Sequence, residues 1–132
     1  MTRFVVDCQT LIRIAAREIE VAPEHNLLAP TLVRSQALAT LYDAARRGEI
    51  SAAEGRERML RINSLKVRFL GDRALQQSAW KVADQLGWET TSDAEFVALT
   101  QLQGDAFVTS DADLARAVSG LVETATIEAL RR

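Results

Sequence analysis

Ala106-Phe107-Val108-Thr109-Ser110-Asp111-Ala112-Asp113-Leu114-Ala115 reads as a short apolar strand, a polar turn and a helix opened by an acid. The first residues follow the same plan. Phe4-Val5-Val6 is a strand that stops at Asp7, and a short helix over Thr10 to Glu18 follows, carrying Leu11, Ile12, Ile14, Ala15 and Ala16. Strands this short and apolar, each followed by a helix, belong in a parallel sheet covered on both faces. The pattern predicts an α/β fold, a central short parallel sheet inside a three-layer α/β/α stack.

The remaining segments fit between these two. Val21 to Asn26 reads as a loop, and Leu27-Leu28-Ala29 leads into Pro30, a good first-turn residue for a helix. That helix is expected to reach about Arg47 and stop at Gly48, with the stripe Val33, Ala37, Leu41 and Ala44 turned inward. Ser51-Ala52-Ala53-Glu54 has the form of a capping box. Leu65 to Phe69 alternates apolar and basic, the mark of a strand. Asp72 can cap a helix with the stripe Leu75, Ala79, Val82, Ala83 and Leu86, closed by Gly87. Ser92 or Asp93 opens a helix carrying Ala94, Val97, Ala98 and Leu102 that ends at Gly104. A helix over Ala112 to Val118 and a last strand near Leu121 to Thr124 complete the chain. No repeat, low-complexity tract or linker interrupts it, so residues 1–132 read as one domain.

Composition narrows the function. The chain is 48% hydrophobic and 26% charged, an ordinary globular balance. Its net charge of −2 argues against gripping nucleic acid through a broad basic face. It leaves room for an enzyme that holds phosphate through a metal ion. No apolar run is long enough to span a bilayer, and Asp7 interrupts the start before a signal-peptide core could form, so a cytoplasmic location is expected. The lone Cys8 excludes an internal disulfide and reads as a small buried side chain. With His25 as the only histidine, far away in a loop, zinc of the Cys/His type lacks ligands.

In an open parallel sheet, sites form beyond the carboxyl ends of the strands. Asp7 and Asp111 fall at two such ends, Asp93 at a helix start that can share the same edge, and Asp113 within a turn of Asp111. Carboxylates that repel one another make sense together around a cation, and hard oxygen donors suit Mg²⁺ or Mn²⁺. Asp93 and Asp111 also have a plainer reading as N-caps. Gln36 lies beside the stripe Val33, Ala37 and Leu41, so it is expected to be partly buried and to need hydrogen-bond partners; a core-edge glutamine bonded to backbone is the plainer account. Trp80 lies off the stripe of its helix and reads as an interface anchor or as the rim of its own core. Trp88, in the loop after Gly87, reads the same two ways.

Taken in order, these motifs resemble the PIN domains of VapC-type toxins. Phe4-Val5-Val6-Asp7 resembles their opening strand and first acid. Leu28-Ala29-Pro30-Thr31-Leu32-Val33-Arg34-Ser35-Gln36 resembles the helix with the second acid. Ser92-Asp93-Ala94-Glu95-Phe96-Val97-Ala98-Leu99 resembles the segment with the third, and Phe107-Val108-Thr109-Ser110-Asp111-Ala112-Asp113-Leu114-Ala115 that with the fourth. The similarity covers nearly the whole chain. It implies a PIN-like fold and a Mg²⁺- or Mn²⁺-dependent endoribonuclease, the toxin of a toxin–antitoxin pair. Asp7, Asp93 and Asp111 would then hold the metal, Asp113 would assist a second ion or a bound water, and Thr109 would offer its hydroxyl to water or phosphate. RNA would be the substrate, an antitoxin the protein partner and a homodimer the assembly. Arg46-Arg47 and the arginines from Arg56 to Arg61 would guide RNA or form a solvated face.

Two positions depart from the family's pattern. The usual glutamate falls on Gln36, and the small polar residue two places after the first acid falls on Gln9. A carbonyl oxygen in place of a carboxylate weakens a hard-cation site. A non-catalytic binding module with a weakened metal site is therefore the alternative expectation. A phosphatase built on Asp7 ranks behind both, because Gln9 breaks the Asp-x-Asp form that it needs.

Overall fold

The computed structural model describes residues 1–132. Five parallel strands stand in the order β3-β2-β1-β4-β5, where β1 is Arg3–Val6, β2 Asn26–Pro30, β3 Val67–Leu70, β4 Ala106–Val108 and β5 Thr124–Ala125. The chain runs outward from β1 through β2 to β3, then crosses back to β4 on the other side of β1. The order therefore reverses between β1 and β4, where a doubly wound sheet opens a crevice at its carboxyl edge.

The helices form two layers. On one face α1 (Cys8–Ala15), α2 (Leu32–Arg46) and α3 (Ala52–Ser64) pack against one another. On the other, α4 (Arg73–Leu86) lies along α5 (Ser92–Gln103), and α5 covers β1, β2 and β4. Right-handed crossovers that change direction at β3 produce this split. A short helix α6 (Ala112–Val118) and a final 3-10 turn (Ile127–Leu130) follow. The two layers and the sheet enclose one continuous core of 28 buried residues, with Phe4, Val5 and Val6 of the central strand buried together, as a strand covered on both faces requires.

Local signals act as the sequence indicates at several ends. Ser51 and Glu54 form the capping box of α3, the Asp72 carboxylate accepts from the Leu75 N–H at 2.9 Å, and Gly87 closes α4 with φ of 68°. Gly104 is needed for a different reason: a Cβ there would lie 2.8 Å from a Val5 methyl, so the end of α5 approaches β1 too closely for a side chain.

The structure corrects three readings. Leu27-Leu28-Ala29-Pro30 is not the entry to a helix but the body of β2. A three-residue apolar run has no period of its own, and burial between two strands decides its state. Pro30 ends that strand, Thr31 continues the ladder by donating its N–H to the Leu70 carbonyl at 3.0 Å, and α2 begins at Leu32. Helix α5 is opened by Thr91 rather than by Ser92 or Asp93, with no side-chain cap bond. The last strand is shorter and later than expected, Thr124–Ala125, and the turn after it buries Leu130 completely.

Candidate functional site

Asp7 stands one residue beyond β1, and its N–H reaches the Val108 carbonyl at the end of β4, 3.3 Å away. One carboxylate oxygen of Asp7 accepts from the Thr10 N–H at 2.9 Å and caps α1. Asp111 is built alike beyond β4. Its Oδ1 accepts from the Leu114 N–H at 3.0 Å and caps α6. The capping reading is thus correct for Asp111, yet it occupies only one oxygen. Each carboxylate keeps its second oxygen for another partner.

Asp93 differs. It lies in the first turn of α5, not at its cap, and no protein hydrogen bond or ion pair reaches its carboxylate. Partial loss of hydration in the cleft, with the like charges of Asp111 and then Asp7, holds its pKa above the ordinary carboxylate value.

These three acids, Gln36 and Thr109 line one polar hollow of about 190 Å³ at the β1/β4 crevice. Thr109 is buried, and its Oγ1 accepts from the Asp111 N–H at 3.1 Å, which leaves the hydroxyl proton free to donate. Gln36 enters from α2. Its Oε1 is buried without a hydrogen-bond donor, so the expectation of a glutamine satisfied by backbone fails. An acceptor left unpaired beside three carboxylates is costly unless a positive group comes to it. Phe96 lines the hollow and packs behind it on the buried Phe107, with ring centroids 5.9 Å apart.

The acids face one space without converging into a ready cluster of three ligands. Like charges oppose a closer approach, and a cation between them would offset that repulsion. The donor set is all oxygen, which suits Mg²⁺ or Mn²⁺, and the orphaned Gln36 oxygen supplies a neutral donor of the same hard class.

Other expected site residues fall elsewhere. Asp113 points away on the exposed side of α6 and pairs with Arg116, outside the hollow. Arg47 is engaged with Asp43 and Glu49, and Arg58 with Glu54. Arg46 and Arg56 border a separate, larger groove of about 660 Å³ between α2 and α3. That groove is apolar, with Leu38, Tyr42 and Leu60 exposed along it, and holds no group suited to chemistry. Trp80 stands exposed on α4, while Trp88 packs half-buried against the core.

Sequence reasoning missed Cys8 as part of the site. It lines the hollow half-buried, its sulfur 3.9 Å from the Thr40 hydroxyl. Burial, and to a lesser degree Asp7, push its thiol pKa up, while the Thr40 contact opposes them. A thiol kept protonated in this way is no nucleophile. The signal was its position, directly after a strand-ending acid.

No family model matches the sequence, and no curated protein does. Solved structures do match in shape. The crystal structure of PAE2754 from Pyrobaculum aerophilum superposes with a TM-score of 0.75 at 24% identity, covering 98% of this chain and 92% of that one. VapBC2 from Rickettsia felis, solved bound to a DNA fragment from its promoter, matches with a TM-score of 0.65 at 8% identity over 94% of this chain and 98% of that one. VapBC-1 from nontypeable Haemophilus influenzae matches with a TM-score of 0.62 at 8% identity over 96% and 98%. The chain has the three-layer α/β fold of these structures, the PIN-like fold expected from its motifs.

Proposed function

We propose that this protein is a metal-dependent endoribonuclease acting as the toxin of a toxin–antitoxin pair. The observation that carries the reading is the β1/β4 cleft itself: three carboxylates and an unpaired buried amide oxygen share one polar hollow. Asp7, Asp93 and Asp111, with the carbonyl of Gln36, would hold Mg²⁺ or Mn²⁺. When bound, the ion neutralises phosphate charge and polarises the phosphodiester.

The chain's own groups divide the remaining work. Thr109 has a hydroxyl proton to donate to a phosphate oxygen. Asp93, the one of the three acids free of capping duty, would accept the proton of an attacking water through the carboxylate oxygen not given to the ion. The water oxygen bonds to phosphorus, the ribose oxygen leaves, and solvent returns a proton to it.

The antitoxin reading is supported by the VapBC proteins among the structural matches and by the α2–α3 groove. Leu38, Tyr42 and Leu60 offer an apolar floor, and the groove is bordered by Arg46 and Arg56 without an acid in its lining. An antitoxin helix with an apolar stripe and acidic flanks would complement it. Reversing both arginines to glutamate should release such a partner. A homodimer through the α4 face that carries Trp80 completes the assembly we propose.

The test is a circular single-stranded RNA, which only an endonuclease can open. Opening in Mg²⁺ or Mn²⁺, abolished by EDTA and by Asp7→Asn, is the expected result. Intact circles with folded protein at every metal concentration would replace this reading with a non-catalytic module, as the neutral Gln36 would then imply.

A further inference from the structure

The central carbon of the Arg34 guanidinium lies over the Phe69 ring, 4.2 Å from its centroid. Arg34 belongs to the first turn of α2, and Phe69 to the carboxyl end of β3. Neither Arg34 nor Arg73, the first residue of α4 beyond the same strand, enters an ion pair. Attraction to the face of the ring holds the guanidinium at this position and takes up none of its N–H donors. An arginine held in this way, with no acid beside it, is prepared for an anion.

Strand register sets its place relative to the cleft. Val5 pairs with Leu28 and Pro30 with Leu70, so Asp7, Pro30 and Leu70 stand at one level on three adjacent strands. Phe69 is one residue below that level, two strand spacings from Asp7, about 10 Å across the sheet edge. Neighbouring nucleotides of one strand bridge such a distance. Gln36 and Arg34 are two residues apart on α2, so they project to opposite sides of it, one into the cleft and one over β3. The path between them crosses the N-terminus of α2, where Thr31 makes no side-chain cap bond. Residues 34–73 carry nine Lys and Arg against five Asp and Glu, a local positive excess in a chain of net charge −2.

We propose that Arg34, held by Phe69, receives the backbone phosphate of a nucleotide flanking the scissile one, so that the RNA strand runs from the cleft over the start of α2 toward Arg73. This rests on the nuclease reading above. Arg34 is a positioning residue, and Phe69 fixes its direction.

The experiment is fluorescence anisotropy of a labelled 12-nucleotide single-stranded RNA, with Asp93→Asn protein in Mg²⁺ as the non-cutting parent. Arg34→Ala should weaken binding about tenfold and lower the salt slope by about 0.7, the value for one phosphate contact on a single strand. Arg34→Lys should keep the slope but lose part of the affinity. Phe69→Leu should do the same, which separates lost direction from lost charge. With Asp93 restored, Arg34→Ala should raise KM for long RNA with kcat unchanged and leave a dinucleotide substrate unaffected. Equal affinity and slope in the parent and in folded Arg34→Ala would overturn the proposal while leaving the nuclease reading intact. A parent that binds no RNA at all would overturn both.

Discussion

Asp7 and Asp111 stand beyond neighbouring parallel strands, and each gives Oδ1 to the cap of the helix that follows, Asp7 to Thr10 and Asp111 to Leu114. The same side chain therefore has a structural oxygen and a free one. This double role predicts that the two can be separated by mutation. Asparagine caps a helix as well as aspartate does, whereas alanine does not. Asp111→Asn should keep the melting temperature within about 2 °C and lose RNA cleavage by about 100-fold or more. Asp111→Ala should lose the same activity and about 1 kcal/mol of stability besides. Thermal melts and cleavage rates of both variants check this. Equal stability of the two would show that the cap contributes nothing.

Gln36 permits a prediction of opposite sign for folding and for metal. Its buried Oε1 has no donor, and such an atom costs about 1–3 kcal/mol. Gln36→Met keeps the length and removes the acceptor, so it should raise stability without metal by about 1 kcal/mol. It should also weaken Mn²⁺ binding. Gln36→Glu should do the reverse, binding Mn²⁺ about tenfold more tightly because a charged ligand replaces a neutral one. Calorimetric titration of Mn²⁺ into the three proteins measures the order directly.

Asp93 sets a pH dependence. Its folded pKa lies above its unfolded value because of lost hydration and the charges of Asp111 and Asp7. The folded state therefore binds this proton more tightly than the unfolded one. The stability this group contributes is present at low pH and is lost as pH rises through its raised pKa. Asp93→Asn should thus raise the melting temperature of metal-free protein by about 1–2 °C at neutral pH and by nothing well below the carboxylate range. A constant difference across pH would contradict the charge origin.

The parts of this account legible in the sequence share a cause. Asp7 and Asp111 were readable because acids that follow strands of a parallel sheet meet at one edge, and Asp93 because a helix start can share that edge. The capping box of Ser51 and Glu54 and the stop at Gly87 are local chemistry, which the chain writes next to where it acts. What escaped depends on distant partners. Leu27 to Pro30 is a strand only because β1 and β3 lie on either side of it. Asp113 is one residue from a different helix face and pairs with Arg116 instead of entering the hollow. Arg46 and Arg56 border the α2–α3 groove from its two helices, and Cys8 comes to line the same hollow as Gln36; neither placement has a periodic signature.

The central claim is that the β1/β4 cleft cuts RNA with a divalent cation held by its acids. The direct measurement is cleavage of end-labelled RNA by the wild-type protein and by Asp93→Asn, side by side, in Mn²⁺, in Mg²⁺ and in EDTA. The account predicts internal cuts by the wild type with either metal, none in EDTA, and a loss of about 100-fold or more in Asp93→Asn. Cleavage that persists in EDTA, or that Asp93→Asn retains in full, would contradict it.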